Sequence, residues 1–250
     1  MQLKHRTAIV TGASSGIGRA VALAYAREGA NVIVSDLAEE GGQETLRLIE
    51  RQTPGAAAVF VRADAASPDD HEMLVRAARE RFGGLHVACN NAGIGGELNF
   101  VAALSVEGWR RVIDVNLSGV YYAMRAQIPA MIEAGGGSIV NMASILGQVG
   151  TPGAAGYVAA KHGVVGLTQT AALEYATGGV RVNAVGPAYI DTPLVANLPQ
   201  KTRDGLVALH PIGRLGRPEE VAELAVWLSG AGASFVTGAY YAVDGGYLAR

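Results

Sequence analysis

Residues 7–29 read TAIVTGASSGIGRAVALAYAREG, and their order decides the fold. Thr7 to Val10 is a short β-branched, apolar run of the kind that forms a buried strand. It leads into the turn Thr11-Gly12-Ala13-Ser14-Ser15-Gly16-Ile17-Gly18. A helical pattern follows, with Ile17, Val21, Ala24 and Tyr25 on one side, and it stops at Gly29. Strand, glycine-rich turn and helix make the setting in which backbone N–H groups approach a pyrophosphate at a helix N-terminus. The spacing is GxxxGxG, not the GxGxxG of the standard dinucleotide fingerprint. The turn alone is therefore a weak signal.

The same alternation runs along the chain. Asn31 to Ser35 is a second strand with Asp36 at its carboxyl end, 18 residues beyond Gly18. There a carboxylate either accepts hydrogen bonds from an adenosine ribose or caps the helix from Glu39 to Arg51. Ala57 to Arg62 is a third strand closed by Asp64-Ala65, Pro68 to Phe82 a helix, and Leu85 to Cys89 a fourth strand ending in Asn90-Asn91-Ala92-Gly93. After a loop, Ser105 caps a long helix through Asn116 and Tyr122, with a kink expected near Pro129. Ser138 to Met142 is the fifth strand and Arg181 to Val185 the sixth. Residues 193–210 read as a lid with one or two short helices, inside a substrate loop of about 188–212. A helix at Pro218 to Ser229 and a strand at Tyr240 to Val243 close the chain. Short apolar strands alternating with helices predict an α/β fold, a parallel sheet covered on both faces. No linker, repeat or second core interrupts it, so a single domain is expected.

The chemistry concentrates at residues 144–161, SILGQVGTPGAAGYVAAK. Ser144 follows the fifth strand, and on a helix from Ala155 to about Thr177 Tyr157 and Lys161 lie one above the other. A phenol titrates near pKa ~10, and an adjacent ammonium favours its ionised form. The chain carries 20 Lys and Arg together, yet only Lys4, Lys161 and Lys201 are lysines. A chain that nearly always chooses Arg has used Lys here, and the two are not interchangeable. No Gly-x-Ser-x-Gly surrounds Ser144, so a serine-hydrolase nucleophile is excluded.

Composition narrows the classes further. Hydrophobic residues make up 50% of the 250 and charged ones 17%, with a formal net charge of −2 and no basic block. Neither nucleic acid nor an anionic membrane is an expected partner. Cys89 is the one cysteine, which forbids an intrachain disulfide and fits a reducing compartment. The apolar run after Lys4-His5-Arg6 breaks at Thr11-Gly12, and no 18-residue apolar run could span a bilayer. No signal peptide and a cytoplasmic location are the expectation.

With TGASSGIG at 11–18, NNAG at 90–93, Asn116, Ser144 and Tyr157-x-x-x-Lys161 in that order, the chain resembles the short-chain dehydrogenase/reductase family over almost its whole length. The resemblance implies a Rossmann-type, doubly wound sheet of seven parallel strands with a nicotinamide cofactor across their carboxyl ends. It implies that Gly12, Ser14, Gly16, Ile17 and Gly18 surround the pyrophosphate. Asp36 would hold the adenosine ribose, Asp64 and Ala65 the adenine, and Asn90 and Gly93 the neighbouring ribose. Lys161 would hold the nicotinamide ribose and lower the pKa of Tyr157, the general acid/base. Ser144 would donate to the substrate oxygen and Asn116 would hold a water in the proton relay. The loop from Pro187 would fix the carboxamide through Ile190 and Thr192. One departure stands out: Ala188 follows Pro187 where the family usually has Gly.

The segments expected around the substrate are 94–98, 145–151 and 188–198, with Ile94, Leu98, Ser144, Ile145, Leu146, Val149, Tyr157, Tyr189, Leu194, Val195 and Leu198. They contain no Lys or Arg. A small, neutral, fairly hydrophobic secondary alcohol or ketone, cyclic ones included, fits that lining, with NAD as cofactor because of Asp36 and no metal. A 3-oxoacyl carrier-protein reductase is the rival within the fold, but segments 131–137 and 176–179 lack the basic residues an acidic carrier needs. An NAD-sensing regulator is the rival outside enzymology, and it has no use for an activated phenol. The resemblance further implies a homotetramer built on the helices at 105–133 and 155–177.

Overall fold

Each apolar run becomes a strand because its β-branched side chains fit a sheet buried on both faces. The computed structural model describes all 250 residues apart from the side chain of Leu194. Its strands are β1 (Thr7–Thr11), β2 (Asn31–Asp36), β3 (Ala58–Arg62), β4 (Val87–Asn90), β5 (Gly137–Met142), β6 (Val180–Pro187) and β7 (Tyr240–Val243). They form one sheet in the order β3-β2-β1-β4-β5-β6-β7, with every neighbouring pair parallel. The order reverses between β1 and β4, and at such a switch point the carboxyl ends of the strands open a crevice.

The helices are α1 (Gly16–Arg27), α2 (Glu39–Gln52), α3 (Pro68–Phe82), α4 (Val106–Ile113), α5 (Gly119–Glu133), α6 (Ala155–Tyr175), α7 (Pro193–Ala196), α8 (Gln200–Ala208) and α9 (Pro218–Ser229). Successive strand residues point to opposite faces, and the core divides accordingly. Val10, Val34 and Val140 pack with Val21 and Tyr25 of α1 and Val221 and Val226 of α9. Ile9, Ile33 and Ile139 pack with Leu74 of α3, Met124 of α5 and Val164 of α6.

Two expectations need revision. The long helix at 105–133 is two helices joined by a single π-turn at Asp114–Ser118, and α5 continues through Pro129. The irregularity falls at Asn116, where a π-bulge commonly marks a functional position. The departure at Ala188, a poor fit if that position needed positive φ, is also accommodated: His5 is the one non-glycine residue with positive φ among the described residues. Ala188 therefore carries no left-handed strain, and its N–H donates to Val243 O at 3.1 Å.

Candidate active site

A cleft of about 920 Å³ opens at the switch point, lined by Gly12, Asp36, Asp64, Ala65, Gly93 and Ile94 among others. The glycines are demanded by closeness. Gly12 has φ +65°, and a Cβ there would meet Asn91 Nδ2 at 2.8 Å; a Cβ on Gly18 would lie 2.2 Å from Gly12 O. The N-terminus of α1 is left open, because Ser15 makes no side-chain cap bond and its first turn holds no acid. Unpaired first-turn N–H groups with the positive end of the helix dipole form an anion site. Asp36 is anchored at the adjoining strand end: Ser14 N–H donates to its Oδ2 and Ala38 N–H to its Oδ1, each at 3.0 Å. Across the cleft, a Cβ on Gly16 would come within 3.2 Å of Thr192 Cγ2, so the two loops meet. These residues fit a dinucleotide: an anion-binding turn, then a carboxylate one strand over.

The Asp64–Ala65 turn is held by its own bonds. Asp64 N–H donates to Asp70 Oδ2 at 2.7 Å and Ala66 N–H to Asp64 Oδ1 at 2.9 Å. His71 Nε2 lies 3.0 Å from Ala65 O, while its Nδ1 has no partner. Burial holds the His71 pKa below the usual 6.5, so the ring is neutral with its proton on Nε2.

At the other end, Ser144, Tyr157 and Lys161 converge. The short turn Ile145–Gly147 lies so close to α6 that a Cβ on Gly147 would be 2.9 Å from Lys161 O. Ser144 Oγ accepts from Leu146 N–H at 3.1 Å, which leaves its hydroxyl proton free to donate. The nearby Ser144 hydroxyl favours the ionised form of the Tyr157 phenol, but burial outweighs this and raises the phenol pKa. Lys161 Nζ sits 5.5 Å from the Tyr157 ring centroid and donates to Met142 O at 2.7 Å. Burial pushes the Lys161 pKa down to about 8. The expected depression of Tyr157 by Lys161 is thus absent in the protein alone: desolvation dominates both groups.

Two asparagines make bonds that the sequence does not show. Asn116 Oδ1 accepts from Ile94 N–H and its Nδ2 donates to Ile94 O, both at 2.8 Å. Its side chain is a clamp on the β4–α4 loop, and one Nδ2 proton and one Oδ1 lone pair are not used by these bonds. A Cβ on Gly93 would lie 3.1 Å from Asn116 Oδ1 and 3.7 Å from Lys161 Nζ, which places the clamp beside α6. Asn90 turns inward: Nδ2 donates to Asn141 Oδ1 at 2.9 Å and to Gln127 Oε1 at 3.1 Å, and Gln127 Nε2 returns a bond at 2.8 Å. Only the backbone of Asn90 is left to face a ribose. Ile145, Leu146, Pro187 and Ile190 are buried as well, and the Leu194 side chain lies outside the described residues.

The comparisons with known proteins agree with this geometry. The family model described as enoyl-(acyl carrier protein) reductase matches residues 12–248. A cyclohexanol dehydrogenase of Acinetobacter sp. (strain SE19) is 50% identical over 100% of this chain and 97% of its own. A cis-4-hydroxycyclohexanecarboxylate dehydrogenase of Sinomonas cyclohexanicum is 48% identical over 98% of this chain and 97% of its own. The crystal structure of levodione reductase superposes with a TM-score of 0.96 at 34% identity, covering 99% of both chains. The chain belongs to the short-chain dehydrogenase/reductase family. It is a short-chain alcohol dehydrogenase, and the family implies a nicotinamide cofactor.

Several residues that shape this family site escaped the sequence reading. Thr11 Oγ1 accepts from the N–H groups of Asn91 and Ala92 at 3.1 Å, and Asn91 Nδ2 donates to Thr11 O at 2.9 Å. They lock the β1 turn to the β4 turn. Both residues lie inside quoted motifs, so the signal was present, but only pairing across strands reveals the bond. His210, at the end of the lid, is readable from the sequence as a candidate to line the pocket, whereas Tyr247 is not. They pack on Tyr189 with centroid distances of 5.9 and 6.2 Å, edge to face, and nothing in one sequence brings positions 189, 210 and 247 together.

Proposed function

We propose that the protein interconverts a neutral alicyclic secondary alcohol and its ketone with NAD as cofactor. The observation that carries this reading is the convergence of Ser144, Tyr157 and Lys161 near the aromatic cluster of Tyr189, His210 and Tyr247. Tyr189 lies near enough to Tyr157 to disfavour its ionisation, and its ring is backed by His210 and Tyr247. The two carboxylates of the surrounding segments are already engaged. Glu97 accepts from Ser105 Oγ at 2.6 Å and Asn99 Nδ2 at 2.7 Å, and Asp191 pairs with Arg203 at 3.4 Å. A ring of CH₂ groups suits such a cluster better than a phosphate or polycarboxylate would, and the cyclohexanol-type relatives act on compounds of that shape.

Bound NAD would supply the carbon that accepts or returns the hydride. The chain's own residues do the rest. Ser144 Oγ–H donates to the substrate oxygen and orients it. Tyr157 takes that oxygen's proton in oxidation and returns it in reduction. Lys161 places an ammonium below the phenol, and Asn116 fixes the Ile94 backbone that closes the cleft. Asp36 would select NAD, and the protein would act as one domain in a homotetramer.

The test is turnover of cyclic and linear secondary alcohols by purified protein, followed by the absorbance of reduced nicotinamide. Cyclic alcohols should be preferred, and Tyr157→Phe should lose at least ~10²-fold in kcat while binding cofactor as before. Retention of more than about a tenth of the activity would remove Tyr157 from its role.

A further inference from the structure

The outermost strand reaches into the active site. Tyr240 on β7 is paired opposite Ala184 of β6, and its hydroxyl donates to the main-chain oxygen of Ser144 at 2.9 Å. To get there it crosses Gly186: a Cβ on that residue would lie 1.9 Å from Tyr240 Oη and 2.2 Å from Cζ. The φ of Gly186 is not positive, so its backbone would tolerate any residue. Room for the phenol is what calls for glycine at this position.

We propose that Tyr240 is a positioning residue for Ser144 and that Gly186 is the space that lets it act. The inference rests on the reading of Ser144 as the group that orients the substrate oxygen. Three bonds hold Ser144: Gly147 N–H and Tyr240 Oη–H both donate to its carbonyl, the former at 2.9 Å, and Leu146 N–H donates to its Oγ. The two from the turn are local and move with it. Tyr240 ties the turn to a different strand, so it fixes where Ser144 stands relative to the sheet. The donor is constant: burial and the nearby Asp244 push the Tyr240 pKa up to about 12, and the hydroxyl keeps its proton throughout the working range.

Tyr240→Phe removes this one bond and keeps the ring. It should lower kcat about three- to tenfold, the equivalent in rate of an ordinary hydrogen bond, with KM for NAD unchanged and the melting temperature nearly so. On a Ser144→Ala background the same change should cost nothing more, because residues acting as a unit are not additive. Gly186→Ala should be more damaging than Tyr240→Phe, and Tyr240→Thr should restore part of its activity by vacating the space. Wild-type kcat in Tyr240→Phe, an undiminished loss on the Ser144→Ala background, or a silent Gly186→Ala each overturns the proposal. A Ser144→Ala enzyme at full speed sinks the reading of Ser144 and this inference with it. A slow Ser144→Ala beside an unimpaired Tyr240→Phe overturns this inference alone.

Discussion

Replacing Asp36 by alanine should shift the enzyme from NAD toward NADP, and the structure sets the scale. Both carboxylate oxygens are held by backbone N–H groups, from Ser14 and Ala38, and among the described residues no cation pairs with them. Arg19, the nearest base in sequence on α1, spends its donors on neutral groups: it donates to Ser14 O, to Thr45 Oγ1 at 3.0 Å and to Gly41 O at 3.3 Å. A 2′-phosphate beside Asp36 would therefore meet uncompensated negative charge. At about 4 Å and an effective dielectric of about 20, one like-charge pair costs about 4 kcal/mol. Asp36 is partly exposed, so screening lowers this to between about 1.4 and 4 kcal/mol, a tenfold to thousandfold preference for NAD. Asp36→Ala removes the repulsion and releases two N–H donors, and adding Leu37→Arg supplies a cation. The ratio of kcat/KM for the two cofactors, measured in wild type, Asp36→Ala and Asp36→Ala/Leu37→Arg, should fall in that order. A wild-type enzyme equally good with NADP, or a ratio unmoved by Asp36→Ala, refutes the reasoning.

Further outcomes follow from packing and titration. Val112, Val120, Val164 and Val165 are covered within the protomer, but Leu173 is 86% exposed, Val106 65% and Tyr121 49%. These outward faces of α4, α5 and α6 should pair with copies of themselves. Light scattering should give a multiple of 25.7 kDa, and a monomer at micromolar concentration contradicts the tetramer. His71 and His86 both have pKa values lowered from 6.5 by burial, with Arg6 adding to the effect at His86. The unfolded chain thus binds more protons below pH ~6.5. Their stabilisation is complete above that value and is lost as pH falls toward the folded values. Melting temperatures between pH 7.5 and 5 should decline, and His86→Gln should flatten the decline.

The fold was legible because local signals agreed: seven apolar runs, glycine turns and amphipathic helices all demanded one parallel sheet. What escaped was whatever depends on two distant positions. Asn116 was legible as a site residue, yet its clamp on Ile94 and the π-turn around it require both partners in view. The inward turn of Asn90 depends on Gln127, which periodicity alone reads as an ordinary helix residue. The need for glycine at position 186 shows only once the Tyr240 phenol is seen packed against it. For Tyr157, proximity to Lys161 was visible in the spacing, whereas the burial that raises the phenol pKa in the protein without cofactor was not.

That burial leads to the last prediction. Lys161 falls from its ordinary 10.5 to about 8 through desolvation, and at about 1.4 kcal/mol per tenfold change in proton affinity this is about 3 kcal/mol. The folded-state pKa is depressed, so the cost is fully present below pH ~8 and disappears as pH rises through ~10.4, where the unfolded lysine also loses its charge. Lys161 Nζ is 2.7 Å from Met142 O, and that bond offsets part of the cost. Lys161→Met keeps the length and apolar stem and removes the charge. At pH 7 it should be at least as stable as wild type, by up to about 2 kcal/mol once the lost bond is counted at about 1 kcal/mol. The difference should narrow toward pH 10 and turnover should vanish. Urea unfolding at the two pH values measures both quantities. A variant less stable than wild type at pH 7 would mean that Lys161 holds the fold together. A stable, inactive one fits a charge placed for chemistry at the expense of stability.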